Sequence, residues 1–563
     1  MIPAAKDSMA ARPRAISLRT TVAGLWLAAV VLYAPLVGWG LPHATAPGRI
    51  KTVATDEILP LEALAEMRST FVSPAVDRNL GYPWWHYFVA ASAQAPYLAF
   101  LKLSGELSEP APEYPFGLRD PVRSLKVLTI LGRLVSVAMG GGIVVAVFFF
   151  ARALWNTTAG CIAAILTMLT YPMLYYSRTG NLDVPAFFWS AAGFAVLART
   201  FTSGLTVRRA AWLGLFAALA AGTKDQAAAL FLPLVLVLLL PRFNHGPGMR
   251  YQVAPLVTLV LVGGIGYLVA TGMLVDPRRH IQHVHALFFD TGRVTNASAY
   301  FPPAPQTWAG TAGLLRDTAL GLGAMMSWPV LILGAIGFVM CVREAKWHWV
   351  WLLPVVASFV LLVRAVGIVV LRYLLPFTLL VDAFAALALI RLRKSRPAVF
   401  AGALAVAVGW QLAVALDLSY AQWRETRTAA ATWIRANYRP GERIEFFGTG
   451  DKLPPLDEGV VSRRVMGRSR YMGESGHGPA VLKYLASEGP EYVIEIPDWT
   501  SGSAERSGDC PPEVWAALMD GSLGYTLVAH FPSPSLLPSP LRRPRLDNPS
   551  VAPPVRIFAR LRR

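Results

Sequence analysis

Of 563 residues, 54% are hydrophobic and only 15% charged, with a mean hydropathy of +0.45; a soluble chain would carry about 25% charged residues. The net charge of +18 lies largely in short segments beside apolar runs and in the Arg-rich end, a pattern that reads as anchoring against anionic lipid and not as a nucleic-acid surface. Three cysteines (Cys161, Cys341, Cys510) have no metal-binding or redox spacing, so neither a zinc site nor a disulfide framework follows.

Apolar runs able to cross a hydrocarbon core of ~30 Å fall near 21–40, 127–151, 157–176, 184–200, 209–222, 225–241, 252–273, 326–342, 348–363, 374–390 and 398–416, about 11 crossings in all. The first run is long for a cleaved signal peptide, although Ala44-Thr45-Ala46 follows it, and it reads as a retained span. Asp56 to Met67 predicts a short amphipathic helix with Pro60 near its start. The stretch 84–104 is apolar but opens Trp84-Trp85-His86-Tyr87-Phe88, which predicts a helix lying in the membrane interface. With that segment non-spanning, loops 1–20, 152–156, 199–209, 242–250, 343–347 and 391–396 share one side and hold sixteen Lys and Arg. Segments 177–182, 223–225, 274–327 and 364–373 on the other side hold eight. The excess of positive charge places the first set and the N-terminus in the cytoplasm. The first outer loop (41–126), a large later loop (274–325) and everything beyond 417 then face outward.

After about 418 the composition changes. A helix at Thr426–Tyr438, a strand at Arg443–Phe447, a helix at Ala480–Ser487 and a strand at Tyr492–Ile496 alternate. Further strands fit Tyr525–Phe531 and Val555–Ala559. The expected architecture is a polytopic α-helical membrane domain over 1–417 and an extracytoplasmic small α/β domain over 418–563 with a Pro- and Arg-rich tail. Gly448-Thr449-Gly450 is not a dinucleotide or P-loop motif, so no nucleotide site follows.

The residues that stand out are carboxylates beside the bilayer, which cost several kcal/mol if buried there unpaired. Asp56-Glu57 follows the first span, and Asp183 opens a later one in Ser177-Arg178-Thr179-Gly180-Asn181-Leu182-Asp183-Val184-Pro185. Under the preferred topology all three face outward with Lys224, Arg364 and Arg372. Such a set suits transfer of a sugar from a lipid phosphate: an Asp serves as general base toward an acceptor, and cations stabilise the departing phosphate. Plainer readings compete. Asp56 and Glu57 also suit the start of a helix, where negative charge is favoured. Lys224 and Asp225 read equally as a mutually neutralising pair. Arg133 reads as a headgroup anchor before a phosphate contact. His280, His283 and His285 read as a solvated loop before a metal site, which leaves a divalent ion open.

The ordered set extends further. After the outer Asp-Glu come Gly81-Tyr82-Pro83-Trp84-Trp85, the Arg178-to-Pro185 stretch, Gly222-Thr223-Lys224 and Arg372-Tyr373-Leu374-Leu375-Pro376. This arrangement over roughly 1–417 resembles the GT-C glycosyltransferases of the protein O-mannosyltransferase and lipid A aminoarabinose transferase type. The resemblance implies an inverting transferase with a polyprenyl-phosphate sugar donor and an extracytoplasmic acceptor (protein hydroxyl, lipid or glycan) in the plasma membrane. It implies Asp56 as base, with Asp183 as the second-loop acid and Glu57 beside the base. Lys224, Arg372 and Arg178 become the candidates for the lipid phosphate. Tyr82 departs from the aminoarabinose transferases, which carry Lys before that Pro, and this weakens any reading as an enzyme of lipid A. A transporter or flippase of lipid-linked saccharides is the rival; no internal repeat of the kind transporters show is visible.

Overall fold

The computed structural model describes residues 17–45, 49–54, 56–72, 81–111, 113–240, 243, 253–288, 303–448, 450–457, 459–467, 477–497, 506–538 and 551–561. Helices α1 (Leu18–Tyr33), α2 (Pro60–Phe71), α3 (Trp85–Leu103), α4 (Pro121–Leu154), α5 (Thr157–Leu169), α6 (Tyr171–Tyr176), α7 (Asp183–Ser203), α8 (Val207–Thr223), α9 (Ala228–Val237) and α10 (Val253–Ala270) come first. They are followed by α11 (Pro277–Phe288), α12 (Trp308–Met326), α13 (Trp328–Glu344), α14 (Leu352–Ser358), α15 (Phe377–Ser395) and α16 (Pro397–Trp423).

Among the described residues six helical segments are long and apolar enough to cross a membrane, or seven if the pair α12–α13, bent by 112°, counts as one span. The chain is a multi-pass membrane protein with fewer full-length apolar helices than the sequence suggested. The shortfall has local causes. The run 157–176 breaks at Thr170 into α5 and α6. The helices for 209–222 and 225–241 reach only 17 and 10 residues. The run 374–390 lies in α15, whose last turn carries Arg393 and Lys394. The segment 84–104 forms α3 and is not among the six.

Helix α4 organises the bundle. Asp120 caps it by accepting from the Arg123 N–H at 2.9 Å, and Pro121 fits its first turn, where no N–H is needed. Along its 34 residues it packs against α1, α5 and α7. Gly140, Gly141 and Gly142 allow that approach: an added Cβ would stand 2.4 Å from Ser177 Oγ, 2.8 Å from Trp26 Cδ1 and 2.3 Å from Phe188 Cε2 respectively. Small residues let helices close in where lipid gives no hydrophobic drive.

Two readings of outer segments change. The amphipathic helix begins at Pro60, not Asp56; Pro60 occupies the first helical position, and Glu62 accepts from the Leu59 N–H at 3.0 Å. Asp56 therefore lies in a turn ahead of the helix. The segment 274–325 contains α11 and α12, so its histidines sit on a helix rather than a loop.

Beyond Trp423, α17 (Thr426–Asn437) leads into β1 (Ile444–Phe447), β2 (Ser462–Arg464), α18 (His477–Ser487), β3 (Tyr492–Glu495), α19 (Pro512–Met519), β4 (Tyr525–Phe531) and β5 (Val555–Arg560). The strands form one sheet in the order β2-β1-β3-β5-β4. Strand β1 pairs parallel with β2 and β3, while β5 runs antiparallel to β3 and β4. Neither β2 nor α19 was expected from the sequence. Thr449 and residues 539–550 of the Pro- and Ser-rich stretch lie outside the described residues. The Arg49 guanidinium donates to the carbonyls of Leu456, Asp457 and Val460 at 3.1, 3.0 and 2.7 Å, and Lys452 Nζ donates to the Val53 carbonyl at 2.5 Å. These bonds hold the sheet against the segment that leads to Asp56.

Candidate active site

The site is assembled from four chain ends at one face of the bundle. Helix α7 starts with Asp183, where the helix terminus favours a negative charge. Helix α8 ends at Thr223, and Lys224 leaves it in extended conformation while its N–H still donates to the Ala220 carbonyl at 2.9 Å. Lys224 Nζ then reaches Asp183 Oδ1 at 2.7 Å, with both side chains buried. Asp225 turns away instead, to His283 Nε2 of α11 at 3.1 Å. The reading of Lys224 and Asp225 as partners of each other is thus overturned: consecutive residues in a turn point apart, and each finds a partner on another element.

Arg372 stands in the 3-10 turn Leu371–Leu374 and pairs with the Asp56 carboxylate. Its Nε is buried and has no hydrogen-bond partner. Burial opposes its charge, but Asp183 and then Asp56 outweigh that, so the guanidinium is held well above its ordinary pKa. The Tyr373 ring lies between the cations, 5.0 Å from Lys224 Nζ and 5.7 Å from Arg372 Cζ. Burial pushes the Tyr82 phenol up, with Arg372 pulling the other way and Asp56, Asp183 and Tyr373 adding to the rise. Asp56 has φ of +55°, a left-handed conformation that costs an L-residue about 1 kcal/mol or more and tends to persist where function requires it. Its side chain is 45% exposed, against 5% for Asp183. Of the two acids, Asp56 is the more open.

Glu57 is placed differently from its neighbour. Arg133 of α4 grips it with two bonds, Nε to Oε1 at 2.7 Å and NH2 to Oε2 at 2.8 Å, both side chains 1% exposed or less. The same guanidinium donates to the carbonyls of Val37, at 2.7 Å, and Trp39. The Gly180 N–H donates to Glu57 Oε1 at 2.6 Å, and the Ile58 N–H donates to the Gly180 carbonyl at 3.2 Å. An added Cβ at Gly180 would sit 2.9 Å from Glu57 Cγ. Glu57 thus locks the first loop to the 177–182 loop. Both its oxygens are engaged by Arg133, and Arg133 is a buried strut instead of a headgroup anchor.

Arg178 is a strut as well. It donates to Ser419 Oγ at 3.0 Å, Gln422 Oε1 at 2.9 Å and the Leu32 carbonyl at 3.0 Å. Burial brings its pKa down to about 10. The side chain ties its loop to α1 and α16, and none of these partners belongs to the Lys224–Arg372 cluster. On the flank, Arg279 of α11 pairs with Glu66 of α2 and donates to the Tyr82 carbonyl at 3.1 Å, fixing that tyrosine's loop. Among the described residues no group of three His, Cys, Asp or Glu is placed to hold a metal ion. Sequence reasoning quoted Tyr373 only as part of a motif, with no role, and did not foresee the Arg133–Glu57 bond. A lone Arg inside the apolar helix α4 was the available signal for the second.

No known protein family matches the chain, and no curated protein does. Solved structures of similar arrangement include ArnT from Cupriavidus metallidurans bound to undecaprenyl phosphate, 12% identical over 91% of this chain and 97% of that one, with a TM-score of 0.45. The oligosaccharyltransferase AglB from Archaeoglobus fulgidus, with an inhibitory peptide and a dolichol-phosphate, is 11% identical over 85% and 69%, at 0.41. Mycobacterial arabinofuranosyltransferase AftD is 16% identical over 98% of this chain and 42% of its own, at 0.39. These are GT-C glycosyltransferases. TM-scores this low assign no activity to this chain.

Proposed function

We propose that the chain is an integral-membrane glycosyltransferase that moves a hexosyl or pentosyl unit from a polyprenyl-phosphate donor to an extracytoplasmic acceptor. The observation that carries the reading is the Asp56–Arg372 pair beside the Asp183–Lys224 pair. One carboxylate is open, and one guanidinium still has a free donor edge. Asp56 takes the proton from the attacking acceptor hydroxyl. Arg372 keeps its contact with Asp56 and turns its unpartnered Nε toward a phosphate oxygen, so one side chain aligns base and leaving group. Lys224, its charge held in place by Asp183, neutralises the phosphate as the glycosidic bond breaks. The positively charged helix ends opposite this site support an outward-facing catalytic face, a cytoplasmic N-terminus and an extracytoplasmic α/β domain from 418 onward, in a plasma membrane. Eleven crossings then require that the shorter apolar helices also traverse the bilayer.

The test is transfer by purified protein supplied with polyprenyl-phosphate sugars and a panel of hydroxyl acceptors. Acceptor-dependent release of polyprenyl phosphate, with inversion at the sugar carbon, is the expected result. Passage of the intact lipid-linked sugar across reconstituted vesicles, with no release, would replace this reading with the flippase. Asp56 stands in a turn and Asp183 at a helix start, while Asp382, the buried acid inside α15, accepts from Thr167 Oγ1 at 2.7 Å; acids at the bundle face favour the transferase.

A further inference from the structure

An apolar recess lies at the other end of the helices that carry Asp183 and Lys224. A cavity of about 1210 Å³ opens between α1, α4, α7 and α8, larger than the ~300–1,000 Å³ usual for small-molecule sites. Its mouth is lined by Arg19, Arg152, Arg199, Arg208 and Arg209, and no acidic side chain lines it. The helix register shows how far this is from the candidate active site. Arg199 follows Asp183 by sixteen residues on α7, and Lys224 follows Arg208 by sixteen along α8, so each separation is about 24 Å at ~1.5 Å per residue. On α4, Arg152 follows Arg133 by nineteen residues, about 28 Å. The two sites therefore occupy opposite faces of one bundle.

Five cations converging without a carboxylate repel one another, and a fold tolerates that where an anion relieves it. Arg209 donates to the carbonyls of Ser203 and Gly204, which leaves it a structural duty. Arg19, Arg152, Arg199 and Arg208 form no ion pair among the described residues. Polarity changes with depth. Phe149 lies one turn below Arg152 on α4 and Val145 two turns, Ala195 lies one turn below Arg199 on α7, and Trp212 one turn beyond Arg208 on α8. Deeper, Trp26 and Phe188 pack against Gly141 and Gly142 of α4. Cations at the rim over largely apolar walls is the order of an anionic headgroup and its chains.

We propose that this groove binds an anionic phospholipid from the leaflet opposite the Asp56 site, its phosphate held by the arginines and its acyl chains lying between α1 and the α7–α8 pair. Helix α1 is otherwise weakly seated: only Ala29 and Tyr33 of its residues are buried. The lipid fills the side of α1 that protein leaves open and steadies the helix that leads to Val37 and Trp39, whose carbonyls Arg133 holds.

The experiment uses the full chain in detergent, freed of lipid and then offered phosphatidylglycerol or phosphatidylcholine. Retention is read by native mass spectrometry and Tm by thermal unfolding. The wild type should retain phosphatidylglycerol at least tenfold better than phosphatidylcholine and gain Tm from it. The triple variant Arg152→Gln, Arg199→Gln, Arg208→Gln should lose both effects. Ala195→Phe, which fills the groove and keeps every arginine, should lose them too, separating occupancy from surface charge. Equal retention of the two lipids, undiminished phosphatidylglycerol binding by the triple variant, or displacement of phosphatidylglycerol from the groove by polyprenyl phosphate would each overturn the proposal. The last outcome would make the groove a donor-lipid site.

Discussion

Arg372 donates to the carboxylate of Asp56 across 316 positions of sequence, joining the turn before α15 to the first loop after α1. Each partner is locally unsettled: Asp56 sits at positive φ, and Arg372 keeps one buried nitrogen without a partner. Across the Tyr373 ring stands a second cation, Lys224, so the pair is placed where another anion would meet two positive charges.

Asp56→Asn keeps the shape and removes the proton acceptor. Turnover with a polyprenyl-phosphate sugar should fall by about two to four orders of magnitude, while donor binding survives. Because the pair is partly exposed, Tm should barely move. Full transfer activity in the purified variant would take the role of base away from Asp56.

Arg372→Lys and Lys224→Arg should behave unequally. Lysine at 372 offers a point charge in place of the fork that spans Asp56 and a phosphate oxygen, and should reduce kcat/KM by about tenfold to a hundredfold, the worth of one charged hydrogen bond. Arginine at 224 keeps a cation within reach of Asp183 and should be tolerated better. Steady-state kinetics of the two swaps decides it; equal, unchanged rates would mean that Arg372 serves only the local packing of its turn.

The membrane class and the gathering of Asp56, Asp183, Lys224 and Arg372 into one cluster were legible because lone charges next to apolar runs are costly and therefore few. Partner choice was not. Nothing in the Asp56-Glu57 dipeptide says that one side chain turns into α4 and the other toward solvent; the distant Arg133 and Gly180 decide that. The same holds for Lys224 and Asp225. Helix breaks were not legible where apolar composition continued through them, as at Thr170, because hydropathy does not register a change of direction.

A reporter fused after Arg563 should be active only outside the cytoplasm. The sheet is tied by Arg49 and Lys452 to the segment before Asp56, so sheet and acids must share a side. Cytoplasmic reporter activity would put the acids inside as well and end the extracytoplasmic reading.

Glu57→Gln should be a stability variant before it is a catalytic one. It leaves Arg133 charged in a site with no exposure, and breaking a buried pair in this way costs about 3–5 kcal/mol. Thermal unfolding in detergent should show a marked drop in Tm, and any loss of turnover should follow the folded fraction. Adding Arg133→Met should recover only part of that loss. It removes the stranded charge but also the donors that serve the Val37 and Trp39 carbonyls. The contrast with Asp56→Asn separates the two neighbours: one variant folds normally and fails to turn over, the other turns over in proportion to what remains folded. Unchanged Tm in Glu57→Gln together with a thousandfold loss of turnover would return Glu57 to the reacting centre.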